Sequence, residues 1–264
     1  MDKKTRRQQS LMRYLEQNRY MSLDEIADRF SVTTQTARRD IQELELAGKV
    51  RRLHGGATIA FSVDPVTYRS RRIENADAKE RIARHAVRRI RDGTTIFLDT
   101  GTTCEAVARE LVNHKGLRVV TYSLRVANIL SEGTDFTVAV PGGFVRPIDG
   151  GVFNQNTAGF IRLFKFEMAI ISVSSIDLAG DICDDDQAEV EAVKAAMQQS
   201  EHTLLAVDSS KFGRRALVHL ANLRDIDELV CEKLPDEPYR SMIENTGISF
   251  FTPDETPGHG MTAR

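Results

Sequence analysis

From residue 76 to residue 207 the sequence alternates between helical and strand patterns, and this alternation limits the possible folds more than any other feature. The predicted elements are helix 77–91, strand 94–98, helix 103–113, strand 117–121, helix 124–132, strand 136–140, strand 168–173, helix 187–200 and strand 203–207. Strands that alternate with helices form a mostly parallel sheet with helices on both faces. We therefore predict an α/β domain over residues 76–255.

The N-terminal part of the chain has a different pattern. Helical spacing over residues 6–17 is followed by a capping box, Ser22 with Glu25, which opens a second, short helix. A turn and a third amphipathic helix come next. Two β-like runs, 50–53 and 57–59, then flank a His-Gly-Gly turn that is typical of a hairpin. Three helices followed by a hairpin predict a winged helix-turn-helix.

The net charge of −2 conceals a difference between the two parts of the chain. Residues 1–60 contain 12 lysines and arginines against 8 acidic residues, and residues 61–264 contain 24 against 30. DNA carries a dense row of negative phosphates, so a DNA-binding domain needs a basic excess. The excess lies on the predicted winged helix-turn-helix.

Polar side chains that can hydrogen-bond to base edges cluster in the first turns of the third helix. Our base-edge candidates are Thr33, Thr34, Gln35, Thr36 and Arg38. Our candidates for phosphate contacts are Arg39, Arg51, Arg52 and the basic start (Lys3, Lys4, Arg6, Arg7), and His54 in the hairpin turn completes the predicted interface. The alternative is an ordinary solvated helix face. The order of helix, turn, helix and basic wing favours DNA binding.

Several classes of protein are disfavoured. The cysteines, Cys104, Cys183 and Cys231, lie far apart without a C-x-x-C pair, which argues against a zinc site or a disulfide framework. No stretch approaches the ~20 apolar residues of a membrane span, and the polar, basic start does not resemble a signal peptide. Walker A and G-x-G-x-x-G motifs are absent, so nucleotides are not favoured. We expect a cytoplasmic protein without a metal or a cofactor.

A phosphate-binding loop is predicted where strand 94–98 ends. The next residues are Asp99-Thr100-Gly101-Thr102-Thr103, and a helix begins there. A helix N-terminus presents unpaired backbone N–H groups and a partial positive charge, glycine lets the backbone approach closely, and threonine hydroxyls add donors. The alternative is an ordinary capped helix start.

Further polar residues follow later strands, at the edge where open parallel sheets gather ligands. Gly142 and Gly143 come before Arg146, and Asp208 lies three residues before Lys211. The glycines could be plain turns, and the last two residues a surface ion pair of little energetic value. A cationic Lys211 that faces a phosphate would instead be functional.

The stretch Ser31 to Ala57, SVTTQTARRDIQELELAGKVRRLHGGA, resembles the DNA-binding signature of the DeoR family of bacterial repressors. FLDTGTT (97–103), VVTYSLRVANIL (119–130), PGG (141–143), EVEAVKAAM (189–197) and VDSSKFGR (207–214) resemble blocks of that family's sensor domain. The resemblance implies a fold like ribose-5-phosphate isomerase. The effector contacts that it implies, together with those from the patterns above, are Asp99, Gly101, Thr102, Thr103, Gly142, Gly143, Arg146, Glu189, Asp208 and Lys211.

The sequence departs from the family pattern at three places, all of which could line the pocket. Tyr122 stands where the family usually has asparagine, Ser174-Ser175 replaces a glycine-bearing segment, and Asn154 falls where glycine is usual. We include Tyr122 among the candidate effector contacts.

The resemblance implies a repressor of a sugar or polyol catabolic operon, whose partners are operator DNA, a phosphorylated effector and further copies of the chain in a dimer or tetramer. Glycerol 3-phosphate is the first candidate effector, and tetrose, pentose or hexose phosphates remain open. The alternatives are a sugar-phosphate isomerase fused to a DNA-binding domain and a DNA binder that senses nothing. Between domains 1–60 and 76–255 we expect a linker, 61–75, and after them a disordered tail, 256–264.

Overall fold

The computed structural model describes residues 3–18, 20–46, 50–53, 55–59 and 65–253. Contacts within the chain divide it into two units, which we call the reader unit, up to Thr67, and the sensor unit, from Tyr68 onward. The predicted tail and the first part of the predicted linker lie outside the described residues. Among those residues, none of the helices combines the length and the apolar composition that crossing a bilayer requires.

The reader unit contains three helices and a three-stranded antiparallel sheet. Its elements are α1 (Lys3–Asn18), β1 (Tyr20–Ser22), α2 (Leu23–Arg29), α3 (Thr34–Leu46), β2 (Val50–Leu53) and β3 (Gly56–Ile59). The predicted wing hairpin is confirmed, because β2 pairs with β3. Strand β1, which the sequence patterns did not predict, pairs with the other edge of β3.

Helical periodicity explains why these elements pack. One apolar stripe of each helix is fully buried in a shared core, in which Leu11 and Leu15 of α1 meet Ile26 of α2 and Ile41 of α3. The predicted capping box is also present: Ser22 Oγ accepts from the Glu25 amide at 3.2 Å, and Glu25 Oε2 accepts from the Ser22 amide at 2.8 Å. This reciprocal bonding satisfies two backbone donors at the start of α2.

One buried ion pair ties the first helix to the third. Asp40 of α3 is 2% exposed and accepts hydrogen bonds from Arg7 Nε at 2.5 Å and from Arg7 Nη2 at 3.2 Å. Gln8 Nε2 donates to the same carboxylate at 3.4 Å. Arg7, which the sequence suggested as a phosphate contact, therefore holds the helices of the reader unit together.

The sensor unit is an α/β domain. Its first elements are α4 (Pro65–Ile73), α5 (Ala76–Val87), β4 (Thr95–Leu98), α6 (Thr102–Glu110), β5 (Arg118–Val120), α7 (Leu124–Gly133), β6 (Thr137–Ala139), β7 (Phe144–Val145), β8 (Val152–Phe153) and α8 (Thr157–Ile161). It continues with β9 (Met168–Ile171), β10 (Ser175–Ile176), β11 (Asp181–Asp184), α9 (Gln187–Gln198), β12 (Thr203–Ala206), β13 (Val218–Asn222), β14 (Glu228–Val230), α10 (Tyr239–Thr246) and β15 (Ser249–Phe251).

Seven parallel strands form the main sheet in the order β15-β14-β12-β9-β4-β5-β6. A separate apolar core covers each face, and all four residues of β12 are buried. From β4 the chain proceeds outward in one direction through β5 and β6, and from β9 it proceeds in the other. The strand order therefore reverses between β4 and β9, and such a reversal opens a crevice at the carboxyl ends of the strands.

The predicted fold class, a winged helix-turn-helix followed by a mostly parallel α/β domain, is confirmed. All five predicted strands are in the main sheet. The sequence patterns missed its two short outer strands, β14 and β15, and the small antiparallel sheets β10-β11-β13 and β7-β8.

The linker prediction is wrong in its second part, where the chain forms helix α4. Tyr68 is only 2% exposed, and its hydroxyl donates to Glu105 Oε1 of α6. Arg72 Nε lies 3.2 Å from the other oxygen of the same carboxylate. The many arginines made the segment look like a polar connection, but a buried aromatic side chain and an ion pair attach it to the sensor unit.

Asp40→Ala should destabilise the reader unit by ~3 kcal/mol, because it removes the carboxylate that Arg7 and Gln8 share in a buried position. The measurement is urea unfolding followed by circular dichroism. Glu43→Ala, which removes a neighbouring carboxylate at the surface, is the control and should change the unfolding midpoint much less. Equal effects of the two substitutions would contradict a structural role for the buried pair.

Candidate functional site

The N-terminus of helix α3 forms the exposed end of the helix-turn-helix. Thr33 caps the helix, since its Oγ1 accepts from the Thr36 amide at 3.2 Å and lies 3.0 Å from Thr36 Oγ1. Both hydroxyls are thus engaged within the turn, whereas Thr34, Gln35 and Arg38 are exposed. These three side chains are the ones free to reach base edges.

The remaining predicted DNA contacts differ in how well they are defined. Arg39 is 81% exposed and lies 3.7 Å from Glu43, one turn further along α3. Arg51 and Arg52 lie on wing strand β2, opposite Thr58 and Ala57 of β3. His54 lies outside the described residues. A polar helix end beside a basic hairpin matches the form in which helix-turn-helix domains bind the major groove and neighbouring phosphates.

The second candidate site lies at the reversal of strand order in the sensor unit. Gly101 caps helix α6 and has a backbone φ of +109°, a value that residues with a Cβ atom rarely adopt. A Cβ added there would meet no atom within 4 Å, so the start of α6 faces open space. Thr102 begins the helix, and Thr103 is buried in its first turn. The predicted loop is therefore an open, glycine-capped helix start, a position whose backbone N–H groups are suited to an anion.

Asp99, the first residue of this loop, is 2% exposed and accepts three hydrogen bonds. The Thr100 amide donates to Oδ1 at 2.7 Å, the Ser172 amide donates to Oδ2 at 3.2 Å, and the Tyr122 hydroxyl also donates to Oδ1. Burial raises the pKa of Asp99 to about 7, although the three donors act in the opposite direction. Asp99 therefore connects the ends of β4, β5 and β9.

Arg146, one of the predicted effector contacts, has its charge engaged within the protein. Its guanidinium donates to Asp149 Oδ1 at 2.9 Å, to Asp186 Oδ2 at 3.1 Å and also to Glu189. Three carboxylates therefore surround one cation, and the guanidinium carbon lies 4.8 Å from the centre of the Phe153 ring. In this arrangement Arg146 holds the β7-β8 hairpin next to helix α9.

Another carboxylate, that of Asp184, lies close enough to this network of Arg146 to act on Glu189. Ser174 Oγ donates to Asp184 Oδ1 at 2.9 Å, and burial together with Asp185 raises the pKa of Asp184 to about 6. Burial and the nearby Asp184 also raise the pKa of Glu189 above its ordinary range, against the effect of Arg146. The sequence patterns did not indicate Asp184, because the small sheet that carries it was not predicted.

Asp208 and Lys211 both follow β12, but they do not form an ion pair with each other. Asp208 is 2% exposed, and its Oδ1 accepts from the Ser210 amide and from Asn75 Nδ2, each at 3.1 Å. The ammonium of Lys211 has no hydrogen bond or ion pair with any described residue. Burial lowers the pKa of Lys211 to about 8, against the attraction of Asp208.

The predicted glycine wall lies on the hairpin side of the site. Gly142 is exposed, and its carbonyl accepts from the Asn154 side chain. Gly143 has a φ of +152°, and a Cβ there would lie 2.5 Å from the carbonyl oxygen of Phe153, so only glycine fits. Within the described part of the chain, no group of three or more His, Cys, Asp or Glu could hold a metal ion.

Two family models match this chain. A DeoR-like helix-turn-helix domain matches residues 7–63, and the DeoR C terminal sensor domain matches residues 74–233. The chain belongs to the DeoR family.

Curated relatives agree with this assignment. The glycerol-3-phosphate regulon repressor of Escherichia coli strain K12 is 38% identical over 233 residues, which cover 88% of this chain and 92% of the relative. The transcriptional repressor CsqR of the same organism is 36% identical over 249 residues, 94% and 95% of the two chains. The chain is thus a transcriptional repressor of the DeoR type and not an enzyme, so the alternative of a fused isomerase is set aside.

Solved structures similar to this chain include the ribose 5-phosphate isomerase of Methanocaldococcus jannaschii, with a TM-score of 0.41 and 16% sequence identity. The match covers 54% of this chain and 56% of the isomerase. It is a likeness of fold alone.

Tyr122→Phe should destabilise the protein in a pH-dependent way. The folded pKa of Asp99, about 7, exceeds its unfolded value near 3.8, so stability declines as pH rises between these values. The Tyr122 hydroxyl favours the charged carboxylate, and its loss raises this pKa further. We expect a loss of ~1.5–3 kcal/mol above pH 8 and a smaller loss at pH 5. Thermal unfolding from pH 5 to pH 9 measures the difference, and a constant difference would contradict the assignment.

Arg38→Ala should weaken binding to a specific DNA site by ~1–3 kcal/mol, about 5- to 150-fold, because an exposed arginine on α3 is expected to bond to base edges. The site is first selected from a random duplex library with the wild-type protein, and affinities are then measured at fixed salt. Arg13→Ala on α1, also an exposed arginine, is the matched control. If both variants bound the selected site equally well, α3 would not be the recognition helix.

Proposed function

We propose that this repressor controls a catabolic operon for a sugar or polyol, and that a phosphorylated sugar or polyol binds the sensor unit and changes its affinity for operator DNA. The single observation that supports the effector is the open start of helix α6, found in the same unit as an unpaired lysine, Lys211. Both lie at the carboxyl ends of the sheet strands on either side of β9.

The proposal that the ligand carries a phosphate group rests on these two features. The N-terminus of α6 offers backbone N–H donors and a partial positive charge to an anion. Lys211 offers a full positive charge that no described carboxylate neutralises within ion-pair distance. A phosphate group between them would receive both kinds of interaction.

The proposal that the ligand also carries several hydroxyl groups rests on the carboxylates in the same unit. Asp184 lies close enough to Glu189 to raise its pKa, and Asp99 acts on Glu189 in the same direction. Carboxylates accept hydrogen bonds from several hydroxyl groups at once, which suits a polyhydroxylated ligand. Glycerol 3-phosphate is our first candidate because a relative is named for it, and tetrose, pentose and hexose phosphates remain candidates.

We propose different roles for the predicted effector contacts. Gly101, Thr102 and Thr103 would bind phosphate with Lys211, while Glu189 would face hydroxyl groups. Asp99, Tyr122, Asp208, Arg146 and the pair Gly142 and Gly143 would act mainly by holding the walls of the site, because their polar groups are already engaged within the protein or lie on its rim.

We further propose that a dimer or tetramer places two reader units on repeated or palindromic half-sites in the cytoplasm. Effector binding would shift the population toward an arrangement that no longer matches the spacing of the half-sites. Each tenfold loss of DNA affinity requires ~1.4 kcal/mol of coupling between the two ligands.

The first experiment is thermal unfolding of the full chain with a panel of glycerol, tetrose, pentose and hexose phosphates. A ligand at 100 times its Kd stabilises the folded protein by ~2.7 kcal/mol. We expect one class of compound to raise the melting temperature of the wild type and of Lys165→Met, an exposed control. Lys211→Met should abolish the shift. A panel without any hit would favour a DNA binder that senses nothing.

The affinity for that compound should depend on pH. The groups that act on Lys211 are Asp208 and Asp184, which favour its charged form, and Arg214 and Arg71, which oppose it. Above pH 8 the free protein loses the ammonium charge while the phosphate stays dianionic, so Kd should increase by up to about tenfold per pH unit. Calorimetric titration between pH 7 and pH 9.5 measures this. In Lys211→Arg the increase should disappear, and a pH-independent Kd in the wild type would remove Lys211 from the site.

A further inference from the structure

Arg71 on helix α4 is a half-buried cation that stacks near an aromatic ring, 5.3 Å from the centre of the Tyr68 ring, but is paired with no described carboxylate. Its Nε is buried and has no hydrogen-bond acceptor, and its guanidinium forms no ion pair with any described residue. Three other arginines of the sensor unit differ. Arg72 and Arg125 approach the carboxylate of Glu105, and Arg146 binds three carboxylates.

Helix α4 is connected to the effector site by a short series of contacts. Lys79 of α5 is 6% exposed and donates to the backbone carbonyl of Arg71 and, at 2.6 Å, to that of Glu74. Asn75, in the turn between α4 and α5, donates to Asp208 Oδ1 at 3.1 Å. The carbonyl of Asp208 in turn accepts from the Lys211 amide at 3.0 Å. The C-terminal end of α4 therefore lies next to the loop that carries Lys211.

The charges at this junction are not balanced. Four cations lie at this junction, since Arg71 and Arg214 both act against the charged forms of Lys79 and Lys211. The carboxylates that act on the two lysines are Asp208, Asp184 and the exposed Glu74. Asp208 and Asp184 already accept hydrogen bonds from neighbouring groups. Partly buried cations without counter-ions are unfavourable, and a bound dianion would balance them.

We propose that Arg71 binds the anionic group of the effector together with Lys211. This inference rests on the proposed function and adds a residue from outside the phosphate loop and the predicted polar contacts. A guanidinium offers two parallel N–H donors to phosphate oxygens, so it also orients the group, whereas Lys211 supplies a point charge.

Because Arg71 is part of helix α4, an anion that binds Arg71 contacts this helix directly. Helix α4 begins at Pro65, and the chain before Tyr68 belongs to the reader unit. An anion bound to Arg71 stabilises this helix through one of its own side chains. Effector binding would therefore act directly on the segment that leads into the reader unit. No change in the sheet would be needed.

Calorimetric titration of the full chain with inorganic phosphate and with glycerol 3-phosphate tests the proposal. Arg71→Met should weaken binding of both probes roughly 10- to 100-fold, the range expected for a charge-assisted hydrogen bond. Arg91→Met, an exposed arginine after α5, is the matched control and should bind like the wild type. Arg71→Lys, which keeps the charge and loses the paired donors, should be intermediate and serves if Arg71→Met does not fold.

Hydrogen–deuterium exchange of the α4 amides gives a second measurement. Phosphate should slow exchange over residues 68–73 in the wild type and in Arg91→Met, and it should not do so in Arg71→Met. Wild-type affinity in Arg71→Met, with binding lost in Lys211→Met, would overturn this inference and leave the proposed function intact. A wild-type protein that binds neither these probes nor any compound of the sugar-phosphate panel would overturn both.

Discussion

The sensor unit depends on the hydrogen bonds that the buried carboxylate of Asp99 accepts. This carboxylate lies where the strand order of the main sheet reverses, and it accepts hydrogen bonds from residues that follow three neighbouring strands: Thr100, Tyr122 and Ser172. A buried carboxylate without donors would be costly, so these bonds fix the relative positions of the strand ends. The loop that opens helix α6 has its geometry because this anchor precedes it.

The charges in the sensor unit are separated into two groups. On the hairpin side Arg146 is neutralised by Asp149, Asp186 and Glu189, so this side is held together internally. On the α4 side Lys211 and Arg71 have no such partners. An anion therefore gains more on the second side, and hydroxyl groups find their acceptors nearer the first. For the proposed effector, this separation would place the phosphate on the α4 side and the hydroxyl groups on the hairpin side.

The sequence predicted the parts of the fold that local patterns encode. Each strand at the centre of the main sheet is a buried apolar run, and Ser22 and Glu25 mark a helix start within four residues. It did not predict contacts between distant residues. Tyr68 bonds to Glu105, 37 positions away, and this long-range contact turns an arginine-rich segment into a helix of the sensor unit. The partners of Arg146 could not be predicted for the same reason, since Asp186 and Glu189 are 40 and 43 positions away.

A ligand can change DNA affinity only if it binds two arrangements of the protein with different free energies. The start of α6 cannot supply this difference alone, because the helix packs against the sheet through buried residues such as Cys104 and Val107. Helix α4 is attached differently, by Tyr68 and Arg72 to one carboxylate and by Lys79 at its C-terminal end. In the proposed mechanism, the contact between the effector and α4 is the step at which binding energy becomes dependent on the arrangement of the chain.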